Sequence, residues 1–149
     1  MCVERQTGVD ELLARARARL QRLAPREALQ AADAGGLIVD IRSERQRQAQ
    51  GLVYGAHFVE RNVLEWRADP RCRHQDPVLT NVRGPLILMC AQGYQSSLAA
   101  ASLQELGLAH ATDMDGGFER WKAEGLPVQL PPALAPRVRG HPSGSDQPA

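Results

Sequence analysis

Two short apolar runs, Leu37-Ile-Val-Asp-Ile41 and Pro85-Leu-Ile-Leu-Met89, interrupt a chain that is otherwise polar or helically patterned. Their length, apolar content and glycine or proline flanks predict buried strands. Ahead of the first, Thr7 to Leu23 predicts an amphipathic helix, with Thr7 as cap and Leu12, Leu13, Ala16, Leu20 and Leu23 on one face. Pro25 ends it, and Arg26 to Ala34 predicts a second helix closed by Gly35-Gly36. Gly51 to Glu60 reads as a turn, tight at Gly55-Ala56, with room for a short strand. Asn62 to Arg67 reads as a short helix carrying Trp66, and Asp69 to Thr80 as loop. After the second strand come a helix over Ser97 to Leu106, a weaker strand over Ala109 to Met114, and a last helix over Phe118 to Ala123. Strands alternating with helices predict an α/β fold with a small, largely parallel central sheet flanked by helices.

At 149 residues the chain is long enough for one domain with a core that needs no disulfide staples. Its three cysteines, Cys2, Cys72 and Cys90, are odd in number, widely spaced and without a C-x-x-C pair, which argues against a disulfide framework and a structural zinc. Cys72 and His74 are two apart in a polar stretch, and a metal site there would need partners that the sequence does not show. A net charge of +1 with no basic block speaks against nucleic acid, and the Arg15, Arg17, Arg19 alternation reads as the solvated face of a helix. No long apolar run and no signal-peptide pattern occur, so a cytoplasmic protein without membrane partners is expected. From Leu130 to Ala149 proline, glycine and serine crowd together, and this tail is expected to be disordered.

The candidate chemistry sits where the second strand ends. Cys90 is followed by Ala91-Gln92-Gly93-Tyr94-Gln95-Ser96-Ser97 and then by an alanine-rich helix. A strand end presents a side chain at the carboxyl edge of a sheet, where open α/β folds place ligands. Loop amides and the start of a helix favour an anion there, and such surroundings turn a thiol into a reactive thiolate. Gly93 supplies the backbone freedom that lets N–H groups converge. Cys90 is therefore the nucleophile candidate, against the plainer reading of a small buried hydrophobe.

Four segments, in order, resemble the rhodanese-like sulfurtransferases, over about Leu23 to Val128. Leu37-Ile-Val-Asp40-Ile-Arg42 is similar to the family's opening strand with its Asp-x-Arg end. Gly51-Leu-Val-Tyr-Gly55-Ala56-His57 is a variant of its Gly-His-Ile-Pro-Gly-Ala turn. Cys90-Ala-Gln-Gly93-Tyr-Gln95-Ser96 resembles the Cys-x-x-Gly-x-Arg-Ser loop, and Gly116-Gly117-Phe118-Glu-Arg-Trp121 the closing Gly-Gly-x-x-x-Trp helix. The resemblance implies a rhodanese-like domain over 23–129, with an N-terminal helical extension at 1–22 and a tail at 130–149. It also implies a catalytic Cys90 that cycles through a persulfide, with no metal or organic cofactor. Sulfur would come from thiosulfate or a persulfide donor and pass to cyanide or a thiol. Residues Ala91 to Ser97 would form the binding loop. Ser96 would donate to the bound sulfur, Ser97 would cap the helix, and Asp40 and Arg42 would support the strand end. Tyr94 would wall the pocket.

The family's loop arginine is replaced by Gln95. Losing one charge-assisted hydrogen bond costs about 1.5–3 kcal/mol, so thiosulfate should bind less well unless another cation substitutes. Arg42, His57 and Arg61 are the candidates for that substitution, each also readable as an ordinary surface or turn residue. Trp66 and Trp121 read as packing aromatics. Cys72 is the candidate second thiol. A non-catalytic sulfur-carrying or protein-binding module remains the alternative function. A phosphatase on a related loop would need an arginine where Ser96 stands.

Overall fold

The computed structural model describes residues 8–131. A four-stranded parallel sheet runs through the molecule in the order β2-β1-β3-β4, with β1 at Leu37–Asp40, β2 at His57–Phe58, β3 at Leu86–Met89 and β4 at Ala111–Asp113. β1 and β3 lie at the centre in register, Leu37 beside Leu86 and Asp40 beside Met89. Parallel strands buried on both faces read as continuous apolar runs, which is why these two are so plain in the sequence.

Alternation along the strands divides the core. Val39, Leu86 and Leu88 face one layer, packed with Leu64, Ala99 and Leu103. Ile38, Ile87 and Met89 face the other, packed with Ala28, Phe118 and Trp121. The first layer is formed by helices α4 (Leu64–Ala68), α5 (Pro77–Thr80) and α6 (Gln95–Glu105); the second by α2 (Pro25–Asp33) and α7 (Gly117–Ala123).

Several elements depart from expectation. The first helix, α1, spans Val9–Ala18 with Gly8 at its N-cap, so it stops short of Leu23; Thr7 lies outside the described residues. Beyond Arg19 the backbone finds better partners on the sheet. Leu23 N–H donates to the Asp113 carbonyl at 3.0 Å, Asp115 N–H donates to that of Leu23 at 2.8 Å, and the Thr112 hydroxyl takes the Gln21 carbonyl. Leu23 thus continues the sheet past β4 as a bridge to Met114. Glu44–Gln50 forms a helix, α3, without a buried residue. It carries no apolar stripe, and Ser43 with Gln46 closes a capping box at its start. Residues 69–80 are not all loop: Asp76 accepts from Val78 N–H and starts α5. Trp121 is buried, but Trp66 is 56% exposed and packs no core. Most of the 130–149 tail lies outside the described residues. No helix among them is long and apolar enough to cross a membrane.

Candidate active site

Cys90 follows the last residue of β3 and opens the loop that leads into α6. Its Sγ receives the Gly93 N–H at 3.1 Å and the Ser96 N–H at 3.4 Å. The other amides of the loop are oriented by what holds their carbonyls. The Cys90 carbonyl accepts from Phe118 N–H at 2.9 Å and the Ala91 carbonyl from Glu119 N–H at 3.0 Å, both at the start of α7. The Gly93 carbonyl accepts from Arg17 Nη2 at 2.8 Å and Arg22 Nη2 at 2.9 Å. A trans-planar peptide points its N–H opposite its C=O. With these carbonyls tied behind the loop, the N–H groups of Ala91, Gln92 and Tyr94 turn to the other side, and none has a protein acceptor among the described residues.

Two glycines make this possible. Gly93 sits at φ +84°, and a Cβ there would lie 2.8 Å from Gly116 N and 3.2 Å from Arg22 Nη2. Gly117 sits at φ +61°, where a Cβ would approach the Cys90 carbonyl oxygen to 2.5 Å. Only glycine permits both the left-handed backbone and such close passage of the loop over α7.

Beneath the loop lies a buried polar network. Asp113, wholly buried, accepts from the Ser96 and Ser97 hydroxyls at 2.8 Å each and from Arg22 Nε at 2.9 Å. Burial works against the charge on Arg22. The hydrogen bond and charge of Asp113, the Asp115 carboxylate and the negative form of Cys90 outweigh it and hold the guanidinium above its ordinary pKa. These contacts correct three expectations. The Ser96 hydroxyl turns away from the sulfur to Asp113, leaving only its N–H on Sγ. Ser97 does not cap α6, which begins at Gln95 with Tyr94 at the N-cap; the Ser97 hydroxyl serves Asp113 and the Gly93 carbonyl. Arg17 is not part of a solvated face, since it reaches Gly93, Ser97 and, at 5.5 Å, the ring of Tyr94.

In front of Cys90 opens a cleft of about 440 Å³. Its polar walls are Gln46 and Gln50 from α3, Gln92, Tyr94 and Gln95 from the loop, and Glu119 from α7. Gln92 leans on Glu119 at 3.3 Å. Arg42 also borders the cleft, but its side chain has no exposure: it grips Asp40 through Nε at 3.0 Å and Nη2 at 2.8 Å, and also takes Gln50 and the Gly51 carbonyl. Phe118 lies flat beneath it, 4.1 Å from ring centre to guanidinium. The remaining candidate cations are engaged elsewhere, His57 with Asp76 at 2.6 Å and Arg61 with Glu65 at 2.7 Å. None of the three takes the place of the loop arginine. Among the described residues the Cys72 sulfur accepts only the His74 N–H, within its own turn. No group of three or more His, Cys, Asp or Glu among the described residues is placed to hold a metal.

Gln46, Gln50, Asp113, Arg17 and Arg22 escaped the sequence reading. The Ser43-x-x-Gln46 spacing is a helix-start signature that would have placed the first two on one face of α3. No local pattern announces the other three, whose partners lie up to 93 residues away.

A profile of the rhodanese-like domain matches residues 24–124. The chain belongs to this family. Among curated relatives, the thiosulfate sulfurtransferase GlpE of Pseudomonas paraeruginosa is 32% identical over 104 residues, covering 69% of this chain and 84% of that protein. The GlpE of Ectopseudomonas mendocina is 31% identical over 103 residues, 69% of this chain and 85% of that one. These relatives place the chain among the rhodanese-like sulfurtransferases. Among solved structures, a Rhodopseudomonas palustris protein of unknown function, described as a possible tyrosine phosphatase, matches with a TM-score of 0.76 at 28% identity, over 87% of this chain and 99% of that one. A thiosulfate sulfurtransferase from Pseudomonas aeruginosa shares the rhodanese-like fold at a TM-score of 0.64 and 21% identity, over 79% of this chain and 21% of that one. Arg17 and Arg22 precede the family match.

Proposed function

We propose that this protein moves sulfane sulfur through a persulfide on Cys90, drawing it from a persulfide donor in preference to thiosulfate. The observation that carries the reading is the sulfur itself, at the base of an open cleft with two N–H groups on it and others turned to the same side. In the first half-reaction the Cys90 thiolate attacks the outer sulfur of the donor. A Cys90 S–S bond forms, the donor's S–S bond breaks, and sulfite or a thiolate leaves with the electron pair. In the second, a thiolate or cyanide attacks the terminal sulfur, and the Cys90 thiolate is released. Charge stays on sulfur throughout, so fixed amide donors serve both states without reorganising.

The donor preference follows from charge. Thiosulfate is a dianion, and the cleft offers it amides, a phenol and the Glu119 carboxylate rather than an accessible guanidinium. A phosphatase reading draws less support: Ser96 stands where the phosphate-clamping arginine would be, and Arg17 and Arg22 are spent behind the loop.

The test is turnover of the purified protein with cyanide as acceptor, each donor in turn, read as thiocyanate. Turnover should be faster with a small-molecule persulfide than with thiosulfate and should vanish in Cys90→Ser. Turnover retained by Cys90→Ser would remove the mechanism. No turnover with either donor would favour the sulfur-carrying or protein-binding module.

A further inference from the structure

The segment ahead of the family match contributes two cations to the catalytic loop. Arg17, on α1, and Arg22, on the strand-like stretch after it, converge on one acceptor, the Gly93 carbonyl. Each is anchored a second time: Arg22 on Asp113 and Asp115, Arg17 on the Ser97 hydroxyl and over the Tyr94 ring. Gly93 is the residue whose N–H meets the Cys90 sulfur, and its C=O belongs to the peptide that turns the Tyr94 N–H away from the arginines.

We propose that Arg17 and Arg22 are the positioning residues of the Cys90 loop, clamping the Gly93 carbonyl from behind so that the loop amides face the sulfur. The clamp puts positive charge under the anion site, while the one guanidinium bordering the cleft in front, that of Arg42, stays buried against Asp40. The clamp therefore does part of what the missing arginine at position 95 would do, from the opposite side. Guanidinium suits the task, because its fork bonds a carbonyl and a carboxylate together in fixed geometry. The charged groups around the sulfur are Asp113 and Asp115 below, Glu119 at the start of α7, and the closed Asp40–Arg42 pair beyond β1. Among the described residues, Arg17 and Arg22 are the arginines that bond the loop itself.

The proposal rests on Cys90 being the reactive thiol, and the experiment separates the two claims. Iodoacetamide labelling is followed at the Cys90 peptide by mass across a pH series, for wild type, Arg17→Gln, Arg22→Gln and Arg22→Lys, with folding checked by circular dichroism. Below the wild-type midpoint, Arg22→Gln should label about ten-fold more slowly and Arg17→Gln about three-fold, as loss of charge-assisted hydrogen bonds predicts. Both midpoints should move to higher pH, and Arg22→Lys should recover most of the rate. A merely structural role would lower the folded fraction and leave the midpoint where it was. Arg17→Gln leaves the Arg22–Asp113 pair intact, so it decides the matter even where Arg22→Gln does not fold. A folded Arg17→Gln with the wild-type profile overturns the clamp. If wild type takes no sulfur from any donor while the arginine variants still slow labelling, the clamp stands and the sulfurtransferase reading falls.

Discussion

On the open side of the Cys90 loop the polar groups are glutamines, a tyrosine and backbone amides, joined by the carboxylate of Glu119 and by Arg42, whose buried guanidinium is closed on Asp40. On its closed side they include guanidiniums and carboxylates: Arg22 bonds Asp113 and Asp115, and Arg17 and Arg22 both donate to the Gly93 carbonyl. The two sides face different requirements. Beneath the loop, water is scarce, and charges persist there only when paired and hydrogen-bonded. In front, the proposed function needs a ligand to enter and leave, and neutral amides would hold a transferring sulfur without trapping it. Charge that bears on the sulfur is thereby separated from charge that would select a donor.

The largest expected effect comes from removing the proposed nucleophile in front: Cys90→Ser should abolish sulfur transfer and leave the melting temperature close to that of wild type. Behind the loop, Asp113→Ala would remove the acceptor of the Ser96 hydroxyl and the buried carboxylate partner of Arg22, leaving that guanidinium on Asp115 and the Gly93 carbonyl. Breaking a buried pair from one side costs about 3–5 kcal/mol, a large part of a small domain's stability, and denaturant unfolding reads it directly. Asp113→Asn, which keeps acceptors for the serines, should lose less.

Gln95→Arg would put a cation on the open side. It should raise kcat/KM for thiosulfate by about ten- to a hundred-fold, the worth of one charge-assisted hydrogen bond, while a persulfide donor without a sulfonate changes by less than about three-fold. An equal change for both donors would mean that the arginine acts on the thiolate and not on donor choice.

The smallest effect lies far from the loop, at the His57–Asp76 pair. Burial would raise the Asp76 pKa, but the His57 hydrogen bond, the Val78 N–H and the charges of His57 and Arg67 outweigh it and hold the carboxyl below its ordinary value. A depressed carboxylate adds stability above its unfolded pKa, near 3.9, and that contribution disappears as pH falls through the lower folded value. Asp76→Asn should therefore lower stability at neutral pH slightly and flatten the acid limb of a stability-against-pH curve.

The open side of this site was far easier to read from sequence than the closed one. β1 and β3 announce themselves because strands buried on both faces read as nearly continuous apolar runs, the buried Asp40 at the end of β1 being held by Arg42. The loop after Cys90 is written in consecutive residues, Gly93 included. The closed side is assembled from places distant in the chain. Arg17 alternates with Ala16 and Ala18 as a solvated arginine would, and only the packing of α1 on α6 brings it to Gly93. Asp113 ends a three-residue strand too short for periodicity to expose. α3 has no apolar face at all, so hydrophobic pattern was silent where the capping box was not. Trp66 shows the converse: an aromatic in a short helix read as packing, yet that helix is two turns at most and turns the ring to solvent.

The most direct test of the account is the mass of Cys90 itself. The reduced protein is mixed with a small-molecule persulfide or with thiosulfate, then examined intact and by peptide mapping, alongside Cys90→Ser. The account predicts a gain of about 32 Da, one sulfur, on the Cys90 peptide of the wild type, reached at lower persulfide than thiosulfate concentration. A wild-type protein that gains no sulfur from either donor, or a gain that survives Cys90→Ser, would contradict it.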